Sequence, residues 1–281
     1  MQGTMSNEYS IIYYTGTWNI DNLTTNIHLG FSSAPGTYYI EYFKLEKGNE
    51  YTPWAPSVKD VKYGNIPSNI IYDSSGYSNN GIITGNLTTD SNSIRYGVTT
   101  VFPSGGYIRV EKRPAACLPK EALTVNLWQY STSWSNPISC TEGGGWNFEN
   151  SSGIRFPVYI SGVGYKVAQS SITPASLNNA WHMLTGTMDK DNIKIYIDGE
   201  EAGTVTTGST NGIGYANNYL FISGEASGNS VTPANSNYTG KLSDIRIYAT
   251  ALTPEQIKEL YNTSMSIDNN GNIYARELVE L

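Results

Sequence analysis

The sequence is poor in charged residues. Asp, Glu, Lys and Arg together make up 15% of its 281 residues, against about 25% in typical globular domains. The 17 basic and 24 acidic side chains give a net charge of −7, and no run of Lys and Arg is longer than two. A protein that binds the phosphate backbone needs a basic surface. Nucleic acid is therefore not an expected partner.

Long apolar runs and cysteine are also scarce. No stretch approaches the roughly 18 apolar residues of a membrane-spanning helix, so no membrane insertion is predicted. Residues 1–10 lack the basic-then-apolar pattern of a signal peptide, so we expect export by another route or a fragment with a new start. Two cysteines, Cys117 and Cys140, are too few for a disulfide framework. With two histidines beside them, a sulfur-based metal site is not expected.

The sequence is rich in short β-type segments. Runs of Tyr, Ile, Val and Thr alternate with Gly, Asn, Ser and Pro clusters, which is typical of an antiparallel sandwich or barrel. In 193–197 the isoleucines alternate with Lys194 and Tyr196, and Asp198-Gly199 follows as a hairpin turn. The pattern predicts an all-β fold with strands at 36–45, 122–131, 154–160, 182–188, 193–197, 219–223 and 241–248.

One helix is predicted near 254–261. Thr253 and Gln256 form a capping box, and Pro254 takes the first helical position. Two prolines in 51–56 read as a linker. The chain therefore divides into a β-rich N-terminal segment at 1–57, a main domain at 58–264 and an exit segment at 265–281.

Residues 68–262 resemble the concanavalin A-like lectin/glucanase superfamily, in particular its laminin-G-like domains. Five motifs carry the resemblance in the family's order: an opening loop, a strand ending in tryptophan, a Trp-His strand, an Asp-Gly hairpin, and a closing strand with its helix. They lie at 72–81, 123–128, 181–189, 195–199 and 240–257. The resemblance implies a two-sheet antiparallel jelly roll closed by a short C-terminal helix.

The flanking segments carry a second resemblance. Residues 39–48 with Thr52-Pro-Trp54, and residues 267–274, are similar to segments of phage and prophage tail proteins. This implies that 1–57 is the remnant of a preceding carbohydrate-binding-like module. It also implies a place in a virion tail, fibre or baseplate, or otherwise outside the cell, with other tail proteins as partners. Fibre proteins are often trimers, and the sequence leaves open whether this chain forms a homotrimer.

Two carboxylates are candidates for a calcium site. The stretch after Asp73 concentrates oxygen donors and turn residues, and Ca²⁺ prefers six to eight such oxygens. In domains that this chain resembles, the opening Asp and an acidic residue of the closing strand lie near a bound calcium. The second position matches Asp244. The alternative is that Asp73 makes an Asx-turn and Asp244 pairs with Arg246.

Aromatic residues between 128 and 165 are candidates for ligand contact. Sugars stack on aromatic rings beside polar groups, and the abundant Asn, Ser, Thr and Tyr suit a surface that bonds hydroxyls. Trp134 and Trp146 lie in Ser/Asn/Gly-rich loops, where burial is less expected than on a strand, although packing within the loop remains an alternative. The predicted ligand-binding residues are Trp134, Trp146, Phe148 and Tyr165. The resemblance assigns Trp128, Trp181 and His182 to the structure instead.

The sequence does not favour catalysis. Glycoside hydrolysis with retention needs two carboxylates about 5 Å apart, which on this fold would come from alternating positions of one strand. No such strand is present, and Glu142 and Glu149 bracket a glycine-rich loop instead. The predicted function is a non-catalytic, lectin-like module that binds cell-surface polysaccharide. The alternatives are a structural protein–protein interaction domain of the tail and, less favoured, a glycoside hydrolase.

Overall fold

The computed structural model describes residues 69–73, 75, 77, 79–90, 99–112, 118–235, 238–264, 266–267 and 273–274. The predicted N-terminal segment 1–57, its strand at 36–45, the linker and Cys117 lie outside the described residues. Most of the exit segment 265–281 lies outside them as well.

The described residues form short strands and one α-helix. In chain order the elements are β1 (Ile70–Ile71), β2 (Gly81–Thr84), β3 (Thr88–Asp90), β4 (Thr99–Phe102), β5 (Tyr107–Val110), β6 (Leu123–Ser133), β7 (Ile138–Ser139), β8 (Glu149–Asn150), β9 (Ile154–Ile160), β10 (Gly164–Gln169), β11 (Trp181–Met188), β12 (Asn192–Ile197), β13 (Glu200–Thr206), β14 (Leu220–Ile222), β15 (Thr239–Tyr248), α1 (Pro254–Ser264), β16 (Ser266–Ile267) and β17 (Ile273–Tyr274). All six predicted strands that fall within these residues are confirmed.

The strands form two antiparallel layers. The back sheet has seven strands in the order β13-β12-β11-β6-β15-β4-β3. The front layer consists of a five-stranded sheet, β1-β2-β5-β14-β7, and a three-stranded sheet, β10-β9-β8. Isolated bridges from Asn147 to Ser139 and from Trp146 to Val158 join these two sheets edge to edge. The predicted all-β sandwich is confirmed, and the exit segment adds a separate pair, β16-β17.

The main core lies between the two layers. Ile193, Ile195 and Ile197 of β12 are all buried in it, as their alternation predicted. Alternate residues of β9 face them from the front layer, and Phe156 among them lies directly over Gly186 of β11. A Cβ on Gly186 would come within 2.5 Å of the Phe156 ring. The absence of a side chain there lets the two sheets approach closely.

The predicted turn at Asp198-Gly199 is confirmed. β12 ends at Ile197 and β13 begins at Glu200, which leaves a two-residue hairpin. Asp198 and Gly199 have φ values of 53° and 82°. Two consecutive positive φ values are what a tight hairpin turn requires, and Asp-Gly adopts them at low cost. The same turn brings the Asp198 carboxylate within 2.7 Å of His182 Nδ1, so His182 has a structural partner.

Helix α1 covers the outer face of the back sheet. The Thr253 amide donates to Gln256 Oε1 at 2.9 Å, and the Gln256 amide donates to Thr253 Oγ1 at 3.3 Å, so the capping box is confirmed. The helix continues three residues beyond its predicted end, to Ser264. Its Ile257 is buried in a second apolar cluster that includes Trp128. The Trp128 ring stacks on Tyr261 with centroids 5.6 Å apart.

The structural roles assigned to Trp128 and Trp181 agree with this packing. Trp128 is fully buried beneath α1, and Trp181 packs at the border of the same cluster. Within the part of the chain that the structure describes, no helix combines the length and apolar character needed to cross a bilayer.

Candidate functional site

Three of the four aromatic residues predicted to contact ligand are buried in the main core. Trp134, Trp146 and Phe148 expose 7%, 3% and 0% of their surface. The bridges to Ser139 and Val158 hold 146–150 extended alongside β9, so what reads as a loop has strand geometry. Alternate side chains then point to opposite faces, and Trp146 and Phe148 point inward. The prediction that these rings are available to stack on a sugar was wrong.

The same alternation places polar residues on the outer face of the front layer. Asn147 and Glu149 alternate with the two buried rings, and Arg155 and Pro157 lie beside them on β9. Together with β10 and two loops they form a cleft of about 190 Å³. The lining residues are Thr141, Glu142, Asn147, Glu149, Arg155, Pro157, Tyr165, Val167 and Glu225. This cleft is the candidate binding site.

Carboxylates dominate the charge of the cleft. Its lining contains three glutamates and one arginine, and Arg155 Nη1 lies 2.8 Å from Glu149 Oε1. Glu225 accepts a hydrogen bond from Asn235 Nδ2 at 2.8 Å. Burial raises the pKa of Glu225 above its ordinary value of 4.5, and repulsion from Glu142 and Glu149 raises it further, against the lowering by Asn235. The negative charges of Glu142 and Glu225 therefore repel each other across the cleft.

Two polar groups in the cleft lack hydrogen-bond partners among the described residues. Asn147 is only 2% exposed, and its Oδ1 has no hydrogen-bond partner among the described residues. Arg155 Nε is also buried without a partner in that part of the chain. Buried polar atoms are nearly always satisfied, so such exceptions in a cleft indicate a place for a ligand or water. Asn147 Oδ1 accepts hydrogen bonds and Arg155 Nε donates them, and a sugar hydroxyl can both donate and accept.

Tyr165 supplies the exposed ring of the site. It is 41% exposed, and its hydroxyl both donates to the Gly144 carbonyl at 3.0 Å and accepts from the Gly144 amide at 3.1 Å. Burial of the hydroxyl end raises the pKa of Tyr165. Tyr159 packs edge-on against the ring, with centroids 5.1 Å apart. The ring is thus fixed in direction while part of its surface stays open.

The glycine-rich loop is tightly seated behind the tyrosine. A Cβ on Gly144 would lie 2.5 Å from the Ala216 amide nitrogen, and the Gly145 amide donates to the Gly214 carbonyl at 2.8 Å. Glycine at 144 is therefore required by close packing of backbone against backbone. The loop that begins at Glu142 forms a fixed wall of the cleft.

The sequence signals identified part of this site. Of the four predicted ligand-binding residues, Tyr165 lines the cleft; Glu142 and Glu149, which the sequence places on either side of the glycine-rich loop but does not predict as ligand contacts, line it as well. Asn147 was missed, although the alternation in Trp146-Asn-Phe-Glu149 could have revealed a strand with one polar face. Glu225 comes from a loop after β14 and has no local signal.

Asp73 and Asp244, the residues predicted to bind calcium, lie in different layers. Asp73 follows β1 and accepts from the Ser75 and Asn79 amides at 2.9 Å each, which forms an Asx-turn. Asp244 lies in β15 with a φ of 49°, and its Oδ1 is 2.6 Å from Arg246 Nε. Both arrangements are the alternative that the sequence left open. No cluster of three or more His, Cys, Asp or Glu suited to a metal occurs among the described residues, and calcium binding stays a prediction.

Known proteins share this architecture. The binding domain of botulinum neurotoxin DC, solved in complex with SialylT, is 18% identical with a TM-score of 0.55 over 70% of this chain and 49% of that chain. The binding domain of Paraclostridial mosquitocidal protein 1 is 16% identical with a TM-score of 0.55 over 73% and 53%. At these identities the likeness shows the fold. The chain spans about half the length of these solved chains.

Sequence comparison identifies the family. A search of curated proteins found no match. Residues 102–258, more than half of the chain, match the Laminin_G_3 family model. The chain belongs to the concanavalin A-like lectin/glucanases superfamily.

Proposed function

We propose that the domain is a non-catalytic carbohydrate-binding module and that the cleft on the front layer is its binding site. The observation that carries the proposal is the exposed, fixed ring of Tyr165 beside buried polar atoms that have no hydrogen-bond partner in the described part of the chain. Sugar rings present apolar C–H faces and hydroxyl edges together. A pyranose stacked on Tyr165 would place its hydroxyls toward Asn147, Arg155 and the glutamates.

The solved relatives support binding as the general role. The binding domain of botulinum neurotoxin DC was solved in complex with SialylT and, separately, in complex with rat synaptotagmin II. These two complexes support recognition of a glycan or a receptor, and the polar cleft favours the glycan.

The size of the cleft predicts weak binding by one copy. Its volume of about 190 Å³ is below the roughly 300–1,000 Å³ of sites for drug-sized ligands. The cleft therefore holds about one sugar unit, and we expect an affinity on the order of millimolar. Several copies on one particle would raise the avidity by orders of magnitude without any new contact.

We also propose that the module belongs to a phage tail, fibre or baseplate protein and attaches the particle to a cell surface. The support is the similarity of 39–48, Thr52-Pro-Trp54 and 267–274 to segments of tail proteins. Weak sites that act by multiplicity suit a particle with many copies. Fluorescent multimers of the chain should label a subset of bacterial cells, and soluble surface polysaccharide from those cells should compete.

The test of glycan binding compares two tyrosines. The chain is displayed as a monomer and as an artificial multimer on an array of neutral, anionic and amine-bearing glycans, and Tyr165→Ala is compared with Tyr72→Ala. Tyr72 is 42% exposed, close to the 41% of Tyr165, and does not line the cleft. We expect the multimer to bind, Tyr165→Ala to lose most of the signal, and Tyr72→Ala to retain it. If the multimer binds no glycan on the array, the result would favour the structural, protein–protein role.

The same samples test catalysis. Three carboxylates in one cleft are the observation that favours a glycoside hydrolase, the second candidate. We expect no release of reducing sugar from any glycan that binds. Turnover that disappears in Glu142→Gln or Glu149→Gln would contradict the non-catalytic proposal.

A further inference from the structure

The charge of the cleft is unbalanced. Arg155 pairs with Glu149 at 2.8 Å, whereas Glu142 and Glu225 form no ion pair with any described residue. Two backbone hydrogen bonds close the loop that carries Glu225. The Glu225 amide donates to the Asn235 carbonyl at 3.1 Å, and the Ala234 amide donates to the Glu225 carbonyl at 2.7 Å. Glu225 is therefore held at the cleft by its own loop, and the one cationic side chain among the described lining residues, Arg155, pairs with Glu149 instead.

The polar atoms of the cleft are mostly acceptors. Ionised carboxylates only accept hydrogen bonds, and the unpartnered Oδ1 of Asn147, a residue that is 2% exposed, is a further acceptor. Among the lining side chains the donors are Arg155, the Nδ2 amide of Asn147 and the hydroxyls of Thr141 and Tyr165. The Tyr165 hydroxyl is already engaged by Gly144. A ligand that fits this lining brings donors and positive charge toward the glutamates and Asn147, together with an acceptor such as a hydroxyl oxygen for Arg155 Nε.

A protonated amino group meets both requirements. An ammonium group carries three donors, no acceptor and one positive charge. A calcium ion prefers six to eight oxygens in close array, and no cluster of three acidic, His or Cys side chains suited to a metal ion occurs among the residues described. A carboxylated or phosphorylated sugar would face like charge, which is unfavourable in a partly desolvated site.

We infer that the cleft selects a glycan unit with a free amino group over its neutral, N-acetylated counterpart and over anionic sugars. The ammonium lies between Glu142 and Glu225, and the sugar ring rests on Tyr165, whose π-face also attracts a cation. This inference rests on the proposed carbohydrate-binding function and names its ligand class. Partly de-N-acetylated polysaccharide is the chemical class that carries such units.

The test uses two oligosaccharides that differ in one group. A β-1,4-linked glucosamine oligomer and its fully N-acetylated form of the same length are titrated into the full chain at mildly acidic pH, with sialyllactose as the anionic comparison. We expect the amine form to bind about tenfold more tightly, as one partly desolvated ion pair would provide. Sialyllactose should bind most weakly.

Variants that remove charge from the cleft test whether the cleft causes the preference for the amine-bearing oligomer. Glu142→Gln combined with Glu225→Gln keeps the side-chain shapes and should reduce the ratio of the two affinities from about tenfold to about one, whatever the absolute affinity for the N-acetylated oligomer becomes. Glu200→Gln, on the β12–β13 hairpin of the back sheet, removes one charge elsewhere and should keep the preference. Thermal melting of each variant confirms that it is folded.

The outcomes separate the two proposals. Equal binding of the amine and N-acetylated forms, or a preference that survives in the double variant, would overturn the amine inference and leave carbohydrate binding intact. If neither these oligomers nor any arrayed glycan binds the multimer, both proposals fail.

Discussion

The two sheets of this domain have very different outer faces. On the back sheet, Trp128, Met183 and Tyr196 are buried because α1 lies over them and adds Ile257. On the front layer the corresponding face carries Glu149 and other polar residues and stays open as a cleft. An apolar outer face must be covered to be stable, whereas a polar one can stay in contact with solvent and ligand. The sandwich is thus closed on one side and available for binding on the other.

The difference between the two outer faces originates in how residue types alternate along single extended segments. In β12 the isoleucines face the core, and on the opposite face Tyr196 is buried against the helix while Lys194 pairs with Glu201. In 146–149 one face is aromatic and the other consists of Asn147 and Glu149. The same two-residue period therefore produces a buried sheet in one layer and a half-open one in the other.

The largest expected effect is on stability, from Trp146→Ala. Trp146 is 3% exposed beneath the open face, and truncation of a buried tryptophan costs about 3–5 kcal/mol of unfolding free energy. Chemical denaturation should show this loss, and Trp146→Phe should lose less. Glycan binding by the folded fraction should persist. An unchanged stability with abolished binding would restore the original prediction that Trp146 contacts the ligand.

A smaller loss of stability is expected from Thr253→Ala, at the face that α1 covers. The hydroxyl of Thr253 caps α1 by accepting from the Gln256 amide, and loss of such a cap costs about 1 kcal/mol. The melting temperature should fall while glycan binding is unchanged, and Thr253→Ser should retain most of the stability. Weaker binding in the alanine variant would show that the two faces are coupled.

A pH-dependent gain in stability is expected from Glu225→Gln, at the open face of the front layer. Because the folded-state pKa of Glu225 lies above 4.5, folding favours its protonated form. That stabilisation is present below the unfolded pKa and is lost as the pH rises through the folded pKa. Glu225→Gln removes the ionised state, so it should raise the melting temperature at neutral pH and change it less near pH 4.5. An equal effect at both pH values would contradict the assigned repulsion.

The smallest expected effect is that of calcium. If calcium binds through Asp73 and Asp244, it must compete with Arg246, so we expect weak binding and a gain of about 0.4 kcal/mol at a calcium concentration equal to the dissociation constant. The measurement is the melting temperature in millimolar calcium and in chelator, with Asp244→Asn as the matched variant. Identical melting temperatures in the two conditions would remove the calcium prediction.

Local signals predicted the fold well and the site in part. The alternation in 193–197, the Asp198-Gly199 turn and the Thr253 cap each act within a few residues, so the sequence reveals them directly. The cleft depends on pairing between distant segments. Arg155 reaches Glu149 through the register of β8 with β9, and Glu225 reaches the cleft because β14 pairs with β7. For Trp146, the glycine-rich composition suggested a loop, whereas the bridges to β7 and β9 make the segment part of a sheet.

The backbone of the loop at 140–145 has a consequence for how the cleft moves. The Cys140 amide bonds the Trp146 carbonyl at 2.9 Å, and the Tyr159 amide bonds the Gly145 carbonyl at 2.8 Å. Gly145 thereby connects the loop to β9, and the Tyr165 hydroxyl anchors the neighbouring Gly144. Amide protons of this wall should therefore exchange with solvent as slowly as those of the adjoining strands. A cleft that is already ordered before binding loses little conformational entropy when a ligand enters, so a weak ligand can associate and dissociate rapidly without rearranging the protein.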